Sequence, residues 1–269
     1  MNKTDTAERI QVGELEMHVE VRGTGSPLLL VAGAGGDAGQ YTELADLLAP
    51  DRTVISYDRR SSSRTSRPDG WVSTTVEEQS DDAARLLLAL DVGPTAVFGN
   101  STGALIALGL ALRNPERVTK AVLHEPALMA VLEDPDSAMA SVQPVVAAGM
   151  EKGGMAGGAE AFLRFAAGAA YDRIPPDTLG RILSNADVLL QAEFGSFASW
   201  APNPADLASS GVDITVLNGE QTAPFFREAA QWIADRRQEK VQTAPGGHMG
   251  FLEDPAGFAA LLQALLRRK

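Results

Sequence analysis

Thr95-Ala96-Val97-Phe98-Gly99-Asn100-Ser101-Thr102-Gly103-Ala104-Leu105-Ile106-Ala107-Leu108 is the stretch from which the rest of the chain is read. A short β-type run enters Gly-x-Ser-x-Gly, and an Ala/Leu-rich helical run leaves it at once. A strand, a sharp turn carrying a serine, and a helix are expected in that order. Glycine is needed at Gly99 and Gly103, because a side chain there would collide with the neighbouring strand or helix. Ser101 is then left at the tip of the turn. The helix beginning beside it aims free backbone N–H groups and the positive end of its dipole at any negative oxygen formed there. Five residues of pattern arise by chance, but the strand–turn–helix context points to an exposed nucleophile.

Outward from this turn the chain alternates between strand and helix patterns. Arg9–Val12 and Leu15–Val21 read as an antiparallel pair turning at Gly13-Glu14. Leu28–Val31, Thr53–Tyr57, Thr95–Phe98, Val118–Leu123, Asp213–Leu217 and Lys240–Thr243 read as six further strands. Short continuous apolar runs of this kind are expected of strands buried on both faces. Helices are expected at Tyr41–Leu48, Val76–Leu90, Thr102–Arg113, Pro224–Arg236 and from Pro255 to the end. This alternation predicts an α/β fold, a mostly parallel eight-stranded sheet with helices on both faces. Residues 127–207 lack strand-like runs and are rich in Ala, Gly, Met and Phe, with breaks expected at Gly153–Gly158 and Pro175-Pro176. They are expected to form a helical cap (127–207) inserted into a core made of residues 1–126 and 208–269, over the sheet edge where ligands bind in open α/β folds.

Bulk composition narrows the class. At 269 residues the chain can bury a full core, and 45% hydrophobic with 22% charged residues is ordinary for a globular enzyme. A net charge of −12 argues against binding nucleic acid or anionic membrane. With no cysteine there is no disulfide, thiolate metal site or cysteine nucleophile, which fits a reducing compartment. The amino-terminal residues have no apolar signal-like region, and no uncharged apolar run approaches the ~18 residues of a membrane span. A cytoplasmic protein acting on a small molecule is expected. No nucleic acid, membrane or cofactor is expected, and no His/Asp/Glu grouping has metal-ligand spacing.

A serine hydroxyl is a poor nucleophile near neutral pH and needs a base. Only three histidines are present. His18 lies in the alternating amino-terminal hairpin and is expected to be exposed. His124 sits at a strand end beside Glu125. His248 lies in Ala244-Pro245-Gly246-Gly247-His248-Met249-Gly250, a glycine-rich loop after the last expected strand, where a base following serine and acid belongs. Two N–H donors for an oxyanion are expected from Thr102, directly after the serine, and from the loop Ala32-Gly33-Ala34-Gly35-Gly36, with Ala34 preferred over Gly35. That loop matches neither a Walker nor a dinucleotide pattern.

The Ala32–Gly36 loop, Tyr57-Asp58-Arg59-Arg60, the Gly99–Gly103 turn, His124-Glu125-Pro126 and Gly246-Gly247-His248 together resemble the α/β-hydrolase superfamily over nearly the whole length. The resemblance is to a small bacterial serine-hydrolase branch with the Asp58-Arg59-Arg60 turn and the His124-Glu125-Pro126 strand end. Many members carry histidine where this chain has Ala32, and commonly an aspartate where it has Thr222. The resemblance implies a Ser–acid–His triad with Ser101 and His248. For the acid it leaves Glu125, whose strand lies between the nucleophile strand and the next in the implied order, or Glu220, or no acid at all. It implies a carboxylic ester hydrolase acting on a small, fairly apolar ester or lactone through an acyl-enzyme. A lyase, cyclase or cofactor-free perhydrolase using the same pocket, and a non-catalytic ligand-binding protein, are the alternatives. Serine rather than aspartate at position 101 argues against chemistry that needs a carboxylate nucleophile. Two weaker signals complete the reading. Arg59, Arg60, Arg64 and Arg67 are expected to brace a turn by bonding loop carbonyls, or else to hold an anion. Met129, Met139, Met150 and Met155, with Phe162, Phe165, Phe194, Phe197 and Trp200, are expected to line an acyl pocket or to pack the cap.

Overall fold

An antiparallel hairpin opens the fold, β1 (Thr6–Val12) pairing with β2 (Leu15–Arg22) around Gly13, whose φ is +59°. The computed structural model describes residues 6–267. The strands that follow are β3 (Ser26–Val31), β4 (Arg52–Tyr57), β5 (Thr95–Asn100), β6 (Val118–His124), β7 (Asp213–Gly219) and β8 (Gln242–Ala244). They form one sheet in the order β1-β2-β4-β3-β5-β6-β7-β8, with every pairing from β4 onward parallel. Parallel neighbours need crossovers, and helices supply them. These are α1 (Thr42–Leu48), α2 (Val76–Ala89), α3 (Thr102–Arg113) and α8 (Pro224–Arg237), while α9 (Gly250–Glu253) and α10 (Pro255–Arg267) follow the last strand. Between β6 and β7 run α4 (Pro135–Ala167), α5 (Pro176–Ser184), α6 (Phe194–Ala198) and α7 (Pro204–Ser209). The chain there contains no strand among the described residues.

The continuous apolar runs are buried on both faces because the side chains alternate between two cores. Leu29, Val31 and Val97 pack on the α2, α3 and α8 side, whereas Leu28, Leu30 and Phe98 pack on the α1 and α10 side. Phe98 meets Tyr41 and Phe258 edge-on, with centroids 5.8 and 5.6 Å away. Burying such a ring stabilises the fold by roughly 1.5–3 kcal/mol.

Register is what builds the site. Asn100 of β5 lies opposite His124 of β6, and His124 lies opposite Leu217 of β7. Ser101 and Glu125 therefore leave adjacent strands at the same level, at the carboxyl edge of the sheet.

Two expectations need correction. The last strand is Gln242–Ala244 rather than Lys240–Thr243, because β7 reaches β8 only from Leu217 onward. The Gly153–Gly158 run does not break the chain throughout. Only Gly153 and Gly154 leave helical geometry, kinking α4 into two arms. Gly157 and Gly158 instead let the arms touch, since a Cβ on Gly157 would lie 2.4 Å from the Gly149 carbonyl and one on Gly158 2.5 Å from Met150.

Candidate active site

Ser101 has φ +57° and ψ −124°, a region that side chains other than glycine rarely adopt. Tight packing imposes it. A Cβ on Gly99 would lie 2.2 Å from the Gly103 carbonyl, and one on Gly103 2.2 Å from the Val31 carbonyl. The Ser101 N–H donates to the His124 carbonyl at 3.0 Å, so the turn hangs from the neighbouring strand. Helix α3 starts at the next residue, with Thr102 in its first turn.

Glu125 is also held at positive φ, +45°, and is fully buried. Its N–H donates to the Leu217 carbonyl at 2.9 Å, and its Oε1 accepts from the Gly219 N–H at 2.9 Å. The other oxygen, Oε2, lies 2.8 Å from His248 Nδ1. Burial opposes charge on this carboxyl, but the hydrogen bond and charge of His248 outweigh it and hold the pKa down at about 2. An ionised carboxylate only accepts, so His248 Nδ1 carries a proton, and the ring nitrogen left to act as a base is Nε2. The Phe226 ring stacks on the imidazole at 4.2 Å and 12°.

The His248 loop is secured independently of the ring. Asn100 Nδ2 donates to the His248 carbonyl at 2.9 Å, and Glu253 accepts the Gly247 N–H at 3.0 Å. Gly219 lets the loop pass, because a Cβ there would sit 2.6 Å from the Gly246 carbonyl. Asn100 also reaches His124 Nδ1 at 3.1 Å. Burial pushes the His124 pKa down to about 3, so that ring is neutral.

A cavity of about 330 Å³ collects these groups, lined by Ser101, Thr102, Ala34, Glu125 and His248. Met129, Met139, Phe162, Phe165, Phe194 and Phe197 form much of its apolar wall. Met150 and Met155 are instead solvent-exposed, and Trp200 packs on the core with its indole N–H bonded to Glu77. Gly35 is buried with φ +85°, against Ile182. Glu220 is exposed, and the acid that reaches His248 is Glu125. His18 is not exposed as expected. Its side chain is 12% accessible, with Nε2 3.2 Å from Glu20. The arginines bond carboxylates more than carbonyls, Arg60 to Asp82, Arg64 to Asp58 and Arg67 to Asp187. Sequence reasoning passed over Asn100, Gly219, Phe226 and Glu253. Only Asn100 gave a signal, as a polar residue closing an apolar strand.

A family model described as "Alpha/beta hydrolase family" matches residues 28–261. The uncharacterized hydrolase YraK of Bacillus subtilis (strain 168) is 44% identical over 123 residues, 46% of this chain and 45% of YraK. The chain thus matches less than half the length of such curated relatives. Among solved structures, a thermophilic esterase from Thermogutta terrifontis is similar with a TM-score of 0.76 and 22% identity, covering 99% of this chain and 98% of that one. The N-acyl homoserine lactone degrading enzyme Est816 is similar with a TM-score of 0.74 and 21% identity, covering 95% and 99%. At these identities the likeness is one of fold.

Proposed function

Since the chain belongs to the alpha/beta hydrolase family, we propose that it is a serine hydrolase cleaving an ester or lactone of a small, fairly apolar molecule. The observation that carries this reading is the 2.8 Å contact between Glu125 and His248, in one cavity with Ser101. In this reading residues 127–207 are the cap over a core of residues 1–126 and 208–269.

Ser101 Oγ attacks the carbonyl carbon while His248 Nε2 takes its proton. Glu125 fixes the tautomer and stabilises the imidazolium that forms. The N–H groups of Ala34 and Thr102 hold the oxyanion. His248 then returns the proton to the leaving alkoxide, leaving an acyl-enzyme. Water attacks that ester, giving a proton to Nε2, and as the intermediate collapses Nε2 passes that proton to Ser101 Oγ, releasing the carboxylic acid and restoring the free serine. The apolar wall favours an uncharged hydrocarbon acyl group over a polar one. Thr222 in place of an aspartate is what a non-catalytic protein that had lost its acid would show, and the Glu125 contact with His248 supports the hydrolytic reading against that alternative.

Rapid-quench intact-mass analysis with a p-nitrophenyl ester tests the proposal. An added acyl mass on wild type, absent from Ser101→Ala, is the expected result. Ester turnover that persists in Ser101→Ala would contradict it.

A further inference from the structure

We infer that Arg59 is a positioning residue that aims the Ala34 N–H, and that Glu193 makes this aim depend on the helical wall of the cavity. The inference rests on the oxyanion role proposed for Ala34. Arg59 follows β4 by two residues and is fully buried. Its Nη2 donates to the Gly33 carbonyl at 2.9 Å, and the Gly36 N–H donates to the same oxygen at 3.1 Å. The Gly33 carbonyl and the Ala34 N–H belong to one peptide group, and no cis peptide occurs among the described residues. In a planar trans peptide the C=O and N–H point in opposite directions. Two donors clamping the Gly33 oxygen therefore fix the direction of the Ala34 N–H. Rotating that peptide would break both bonds and turn a carbonyl toward the site of the oxyanion.

The guanidinium is itself held from the other side. Nη1 and Nη2 reach Glu193 Oε1 and Oε2 at 2.6 and 2.9 Å, and Gln79 bonds both partners. Glu193 ends a π-helical turn, Val188–Glu193, and lines the cavity beside Leu189 and Phe194. Such turns recur at functional sites. A buried ion pair adds little stability over apolar residues of equal size, whereas a planar fork sets geometry that lysine does not reproduce. Groups that a substrate touches on the wall are thus linked through Glu193 and Arg59 to the donor that meets its oxyanion.

The test compares wild type with Arg59→Met/Glu193→Gln, which removes both charges and strands neither. Three readings are taken: fluorophosphonate labelling rate, affinity for a trifluoromethyl ketone that adds Ser101 to form an oxyanion, and affinity for the matching alcohol, which does not. Labelling and ketone affinity are expected to fall at least about tenfold while alcohol affinity stays within about twofold. Wild-type labelling of the variant, or equal losses for ketone and alcohol, would overturn the inference. If the double variant does not fold, Glu193→Gln alone is expected to lower kcat with KM unchanged, and an unchanged kcat would overturn it. Absence of label on wild type would remove the Ser101 reading, and this inference with it. A labelled wild type with an unaffected variant would remove the inference alone.

Discussion

Glu125 answers two demands at once, since one oxygen takes the backbone N–H of Gly219 and the other orients His248. Glu125→Gln retains the shape but no longer enforces a proton on Nδ1. Its kcat on esters is expected to fall by roughly 10²–10⁴ with KM little changed, measured by steady-state kinetics. Acid stability follows from the same pair of neighbours. Folding lowers the Glu125 carboxyl from 4.5 to about 2 and the His124 ring from 6.5 to about 3. Within each interval the unfolded chain binds more protons, so stability is full above it and is lost as the pH falls through it. His124→Gln removes the upper interval. Between pH 6.5 and 4.5 the wild type is expected to lose stability faster than this variant, by up to about 1.4 kcal/mol per pH unit. Urea midpoints measured across that range check it, and equal slopes would contradict it. At this scale the sequence carried Ser101 and His248 through glycine patterns that geometry requires. The choice between Glu125 and Glu220 was harder to read, because reach to His248 depends on which strand neighbours which. That choice is a tertiary fact, and no local pattern encodes it.

Elements explain why some glycines are fixed and others are free. Gly103→Ala would drive a Cβ into the Val31 carbonyl of an adjacent strand, and neither backbone can retreat. A loss of about 2–3 kcal/mol or more is expected in chemical denaturation. Gly180 sits exposed inside α5, and an added Cβ would meet nothing within 4 Å. Gly180→Ala is expected to add about 0.5–1 kcal/mol by reducing the freedom of the unfolded chain. A loss in that variant would contradict the account of α5. Thr102–Arg113 was legible to the residue, because Ser101 starts the helix and Asn114-Pro115 stops it. The stretch from Pro135 to Ser209 was not. There Gly149 and Gly157 serve close helix contact rather than a turn, and composition alone does not separate the two uses.

Across the whole molecule, the sheet brings Ser101, Glu125 and His248 to one edge, and the helices between β6 and β7 supply much of the wall of the cavity they share. Wall shape, in this account, sets which acyl groups fit. Phe162 lines the cavity and meets Phe194 edge-on at 5.8 Å. Phe162→Ala is expected to shift preference toward longer p-nitrophenyl esters, with kcat/KM falling for the shortest. An unchanged chain-length profile would place acyl recognition elsewhere. Intact-mass analysis after exposure to a fluorophosphonate decides whether Ser101 is an activated nucleophile. A single adduct is expected on wild type, with strongly slowed labelling of Glu125→Gln and none on Ser101→Ala. A folded wild-type protein that takes no adduct, or a Ser101→Ala protein that takes the same one, would contradict that role for Ser101.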